Sequence, residues 1–173
     1  GSYTTRSMRS ATRLGLSVRE TPQAVSVVTR QQMDDQNLQT VEEVLQNAAG
    51  VAINRYDSDR TSFFARGFSI ASYQYDGIPT TVDNAYNVGD STLDMTAYDR
   101  VEIVRGATGL LTGAGEPSAT INLVRKRASS AQLAGAAALS LGSWNHARAS
   151  ADLSTPLTAD GKVRGRVVAS YQD

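Results

Sequence analysis

Two arginines carry the sharpest chemical signal in the chain. Arg66 and Arg105 each stand beside a glycine at the end of an apolar run, in FFARGF and VEIVRGA. A guanidinium stays charged and presents five donors in a planar fork, so it calls for an anionic partner. Burying one unpaired is costly, and the neighbouring sequence offers few acids besides Glu102. The plain alternative is a pair of solvated strand-end arginines. A second pattern, Tyr56 to Arg60 (YDSDR), holds Asp57 and Asp59. Paired carboxylates can do acid–base work or hold Ca²⁺, but the rest of an EF-hand loop is missing, which favours a solvated turn. A third, Gly106 to Gly115 (GATGLLTGAG), has the glycine content of a phosphate loop. No Gly-Lys-Ser/Thr follows it, and the next run reads as a strand where a phosphate loop would feed a helix. The glycines are therefore read as permitting positive φ and close packing.

Composition removes several other chemistries. The 173 residues contain no cysteine and one histidine, His146, which disfavours thiolate metal sites, His-based metal centres and a Ser-His triad. Lys plus Arg and Asp plus Glu are 17 each, and zero net charge argues against nucleic acid as the main partner. No apolar run reaches the roughly 18 residues a transmembrane helix needs.

The elements that must position the arginines are short. Ala24 to Thr29 (AVSVVT) reads as a strand, after which Thr29 caps a helix through Gln36. Thr40 and Glu43 have capping-box spacing; the helix they open carries Val41, Val44, Leu45 and Ala48 on one face and ends before Gly50. Val51 to Arg55 and Thr61 to Phe68 read as strands, and Tyr73 to Thr80 (YQYDGIPT) as a hairpin with an Asp-Gly turn. Thr81 to Asp90 is a polar loop, and Leu93 to Asp99 a short helix leading into Val101 to Val104. A glycine-rich loop joins that strand to Ile121 to Val124, with Arg125 and Arg127 beyond. After Ala128 the texture changes. Ala147, Ala149, Ala151 and Leu153 alternate with His146, Arg148, Ser150, Asp152 and Ser154; Val163 to Tyr171 alternates again. Apolar-out, polar-in strands of about ten residues are what a transmembrane β-barrel wall requires, although a soluble amphipathic sheet gives the same pattern.

The run VEIVRGATGLLTGAGEPSATINLV resembles the signature of the plug domain of TonB-dependent outer-membrane receptors. TPQAVSVVTRQQMDDQNLQTVEEVLQNAAGV, FFARGF and YQYDGIPT resemble the same family in the same order, so the likeness covers nearly the whole chain. It is most similar to receptors for ferric siderophores of the hydroxamate and pyoverdine kind. The resemblance implies an α+β fold: a flexible lead-in over 1–20, a plug domain with a small mixed β-sheet and short helices over 21–128, and the first antiparallel barrel strands over 129–173. Three strands cannot close a barrel, so the receptor reading expects polypeptide past Asp173.

What the resemblance implies about function follows. The protein would be no enzyme but a receptor in the bacterial outer membrane, with ferric siderophore, a TonB-type energising protein and membrane lipid as partners. Iron would travel in the siderophore, so no cofactor or protein metal ligand is expected. No TonB box is identified in 1–20. Arg66 and Arg105 match plug arginines that pair with barrel glutamates, locking plug to barrel. For the siderophore, stacking and charge-assisted hydrogen bonds point to Arg60, Tyr73, Tyr86, Asn87 and Thr112 on or beside the plug loops. Other cargo (haem, cobalamin or a sugar), a soluble periplasmic binding module and an acid-pair enzyme at Asp57 and Asp59 are the alternatives.

Overall fold

The computed structural model describes residues 2–3, 24–57, 60–81, 93–106, 117–143 and 146–173. The chain divides into two compact units, Gly1–Arg125 and Lys126–Asp173.

In the first unit the valine-rich run forms β1 (Ala24–Thr29). Thr29 stops it and caps α1 (Arg30–Asp35), its hydroxyl accepting from the Gln32 N–H. Ser2 and Tyr3 attach here: the Thr29 hydroxyl donates to the Ser2 carbonyl and the Tyr3 hydroxyl to Asp35. Helix α2 (Val41–Gln46) opens with the expected capping box. The Thr40 hydroxyl accepts from the Glu43 N–H, and the Glu43 carboxylate accepts from the N–H groups of Thr40 and Gln39. Strands β2 (Ala52–Arg55), β3 (Thr61–Ala65) and β4 (Phe68–Ser69) make one small antiparallel sheet. Strands β5 (Ser72–Tyr75), β6 (Ile78–Thr81), β7 (Tyr98–Arg105) and β8 (Ala119–Arg125) join β1 in a five-stranded sheet ordered β1-β7-β8-β5-β6. Its β5–β8 pair is parallel and the other neighbours antiparallel, which makes the sheet mixed.

Period-two alternation sorts the two faces of the central strands. Val101 and Ile103 of β7 and Ala119, Ile121 and Leu123 of β8 enter the core with Val41, Val44 and Leu45 of α2 and Met33 of α1. The opposite face carries Glu102, Thr120 and Asn122, which are also buried. Each needs a hydrogen-bond partner to offset lost hydration. Glu102, 1% exposed, accepts from Arg100 Nε at 2.7 Å and from Asn122 Nδ2 at 3.1 Å. Asn122 Oδ1 accepts from the Gly77 N–H at 2.9 Å, and the Thr120 hydroxyl donates to Ser72.

The second unit is an antiparallel sheet in the order β11-β10-β9, built from β9 (Ala134–Leu141), β10 (Ala147–Pro156) and β11 (Arg164–Gln172). Its register aligns Leu139 with Ala149, Ala151 with Ala169 and Leu153 with Val167. One face is therefore continuous and apolar, and that face is exposed: Leu139 is 85%, Val167 68% and Leu153 49% accessible. The other face holds the ion pairs of Asp152.

Three expected elements come out differently. TSFFARGF is two strands, β3 and β4, around a two-residue turn at Arg66 and Gly67. Leu93 to Asp99 yields a single 3-10 turn, Met95–Ala97, because Asp94 caps it and Tyr98 already starts β7. Helix α2 ends before Gly50 as expected but already at Gln46, with Asn47 as its cap, so Ala48 lies beyond the helix and Gly50, at φ 78°, is not the residue that ends it.

Candidate functional site

Arg66 and Arg105 converge on the end of β7. The turn that carries Arg66 pairs Ala65 with Phe68 and leaves two central residues, Arg66 at φ 56° and Gly67 at φ 84°. Positive φ at both positions is the requirement of a type I′ hairpin turn, which ordinarily selects Asn-Gly or Asp-Gly. The Asp76-Gly77 turn of β5–β6 follows that preference, with φ of 53° and 84°. An arginine in the left-handed region is strained, by about 1–2 kcal/mol, and such strain is tolerated where the side chain has a task.

The Arg66 guanidinium lies against Gly106, the residue after Arg105. A Cβ on Gly106 would sit 3.1 Å from Arg66 Nη1, and Gly106 has φ of 103°. Arg105 turns to the helix side, where its Nη1 donates to the Ala49 carbonyl beside Gly50. A Cβ on Gly50 would come within 2.9 Å of that nitrogen. Each arginine is thus seated on a glycine, and among the described residues neither is in an ion pair. Glu102, the acid nearest to Arg105 in sequence, belongs to Arg100.

The other expected contact residues scatter. Arg60 closes its own turn, donating from Nε and from its backbone N–H to Asp57. The side-chain hydrogen bond and the negative charge of Asp57 raise its pKa above the ordinary arginine value. Asp57 is therefore engaged with Arg60, while Asp59 lies outside the described residues. Tyr73 requires a correction: its ring is 4% exposed and packs in the hydrophobic core, because alternation along β5 turns it to the same side as Ile121. Tyr86, Asn87, Thr112 and the loop after Gly106 lie outside the described residues. Sequence reasoning missed two polar clusters, Arg100–Glu102–Asn122 and Lys126–Asp152–Arg166. Alternation alone puts Glu102 and Asn122, or Asp152 and Arg166, on one face; strand register decides that they touch.

The TonB-dependent Receptor Plug Domain family model matches residues 17–120. This chain belongs to that family. The matched plug segment lies within Gly1–Arg125 and contains both arginines. Over its whole length the chain is 52% identical to the ferripyoverdine receptor of Pseudomonas aeruginosa, of which it covers 21%. It superposes with a TM-score of 0.94 and 51% identity on the pyoverdine outer-membrane receptor FpvA from the same species bound to pyoverdine, covering 99% of this chain and 25% of that one. The alcaligin outer-membrane receptor FauA of Bordetella pertussis gives a TM-score of 0.90 at 50% identity, covering 98% of this chain and 30% of that one. The plug chain thus spans about a fifth of the length of the curated relatives it matches.

Proposed function

We propose that this chain is the plug and the first wall strands of an outer-membrane receptor that imports a ferric siderophore of the pyoverdine kind. The observation that carries the reading is the second unit's inverted polarity. A soluble sheet buries its apolar face, whereas here Leu139, Leu141 and Val167 are among the most exposed side chains and Asp152 is held on the other face. That arrangement suits lipid on one side and an aqueous lumen on the other. In the proposed receptor further strands complete the barrel, since open edges in lipid would leave backbone groups unpaired. The siderophore carries the iron, which is cargo and needs no resident protein ligand. A TonB-type partner supplies the energy, and the plug gates the path.

Arg66 and Arg105 take the role of plug-to-barrel locks in this reading. Each is pre-seated on a glycine and charged, so it can receive a wall carboxylate without reorganising. Arg60, Tyr86, Asn87 and Thr112 remain the candidates for siderophore contact.

The test uses the full receptor in outer-membrane vesicles and in energised cells. Ferric pyoverdine should bind saturably, and labelled iron should enter the cells until the protonmotive force is collapsed. Binding of haem or cobalamin in place of the ferric siderophore would overturn the cargo assignment.

A further inference from the structure

The chain leaves the plug at Arg125 and the wall sheet begins at Ala134. Each end of the connection is held within its own unit. On the plug side, Asp76 accepts from both the backbone N–H of Arg125 at 2.9 Å and its Nε at 2.7 Å, pinning the last residue of β8 to the β5–β6 turn. On the wall side, Lys126 Nζ donates to Asp152 Oδ2 at 2.8 Å, with the Lys126 side chain only 10% exposed. Arg166 grips the same carboxylate with two donors, Nε at 2.8 Å and Nη2 at 2.7 Å, and its remaining Nη1 donates to the Arg127 carbonyl at 3.0 Å. Arg164 Nη1 donates to the Ser129 carbonyl at 2.9 Å. Three residues of the connection are therefore strapped to β10 and β11, and two of the straps, from Lys126 and through Arg166 from Arg127, meet at Asp152.

We propose that Asp152 is a positioning residue that makes 126–129 a fixed anchor. The inference rests on the receptor reading above. In such a receptor the plug must move under tension while staying attached. A two-donor arginine–carboxylate fork combined with a lysine is directional and holds position better than a single ion pair. Residues 126–129 then stay with β10 and β11 when the plug is pulled.

The experiment is done on the full receptor in outer membranes with Asp152→Asn, Asp152→Glu and, as a charge-matched control, Asp160→Asn in the exposed β10–β11 turn. Arg125, Lys126 and Arg127 place three trypsin sites in the connection, so cleavage there reads its release without any ligand. Cleavage should rise at least tenfold in Asp152→Asn, and stay within twofold of wild type in Asp152→Glu and Asp160→Asn. Unchanged cleavage in Asp152→Asn, or an equal rise in the control, would overturn the anchor. Transport is read in parallel. Asp152→Asn should keep ferric pyoverdine affinity within twofold and lose at least fivefold of energised uptake, whereas equal loss of both would make Asp152 merely structural. A wild-type receptor that binds no ferric siderophore would refute the receptor reading and leave the cleavage result to judge the anchor.

Discussion

Arg66 illustrates how one backbone angle can argue for a side chain. At φ 56° in a two-residue turn, asparagine or glycine would be unstrained. The expected outcome is that Arg66→Asn changes the unfolding free energy of this chain by less than about 1 kcal/mol, while β-branched Arg66→Val loses about 1–2 kcal/mol. Denaturant titration of the two variants separates backbone strain from the guanidinium's own contribution. If Arg66→Asn is as damaging as Arg66→Val, the contact with Gly106 matters more than the turn. Gly50 makes the complementary case. A methyl group there meets Arg105 at 2.9 Å and the residue's φ of 78° disfavours any side chain, so Gly50→Ala should be destabilising by about 1–2 kcal/mol and should displace the Arg105 guanidinium. A lowered midpoint of thermal unfolding measures the first effect. Arg105, a strand-end residue by sequence, gains its seat only because the chain turns back after α2.

At the scale of elements, the central strands combine an apolar face with a polar one that is equally buried. Glu102→Ala removes the acceptor of Asn122 Nδ2 and of Arg100 Nε, while Arg100 Nη1 keeps Asp99 and is partly exposed, so the loss should be about 1–3 kcal/mol. Conservative Glu102→Gln should lose less, since it keeps the size and one acceptor; calorimetric unfolding of both variants gives the comparison. The sequence made β1, the α1 cap and the α2 capping box legible because each rests on contacts within a few residues. It also made the Asp-Gly turn legible, since Asp76-Gly77 is the turn type's preferred pair. TSFFARGF was illegible as a hairpin for the converse reason: Arg-Gly is a poor match to the same turn, so an unbroken strand was the simpler reading. Tyr73 was illegible as a core residue because its burial depends on the parallel pairing of β5 with β8, whose residues are more than forty positions apart in sequence (Tyr73 opposite Ile121). The arginine pair was visible as residues, but not the glycine seats that bring both to the end of β7.

For the whole molecule, the question is which solvent each face meets. The first unit encloses an apolar core in the ordinary way, while the second presents Leu139, Leu153 and Val167 outward and gathers Asp152, Lys126 and Arg166 on its other side. In water such a sheet would lose the hydrophobic contribution of its exposed face; in a bilayer the same residues match hydrocarbon. A charge on that face should therefore act against membrane assembly, and by more than any polar-face change. Arginine near the bilayer midplane costs about 2–4 kcal/mol in a barrel wall. In the full receptor, Leu139→Arg should lower the amount recovered folded in the outer membrane several-fold, whereas Ser170→Asn on the opposite face should leave it near wild type. Heat-modifiable electrophoretic mobility of membrane fractions reports the folded amount directly. Full assembly of Leu139→Arg would mean that this face meets protein or water and not lipid, and the wall assignment of β9 to β11 would have to be given up.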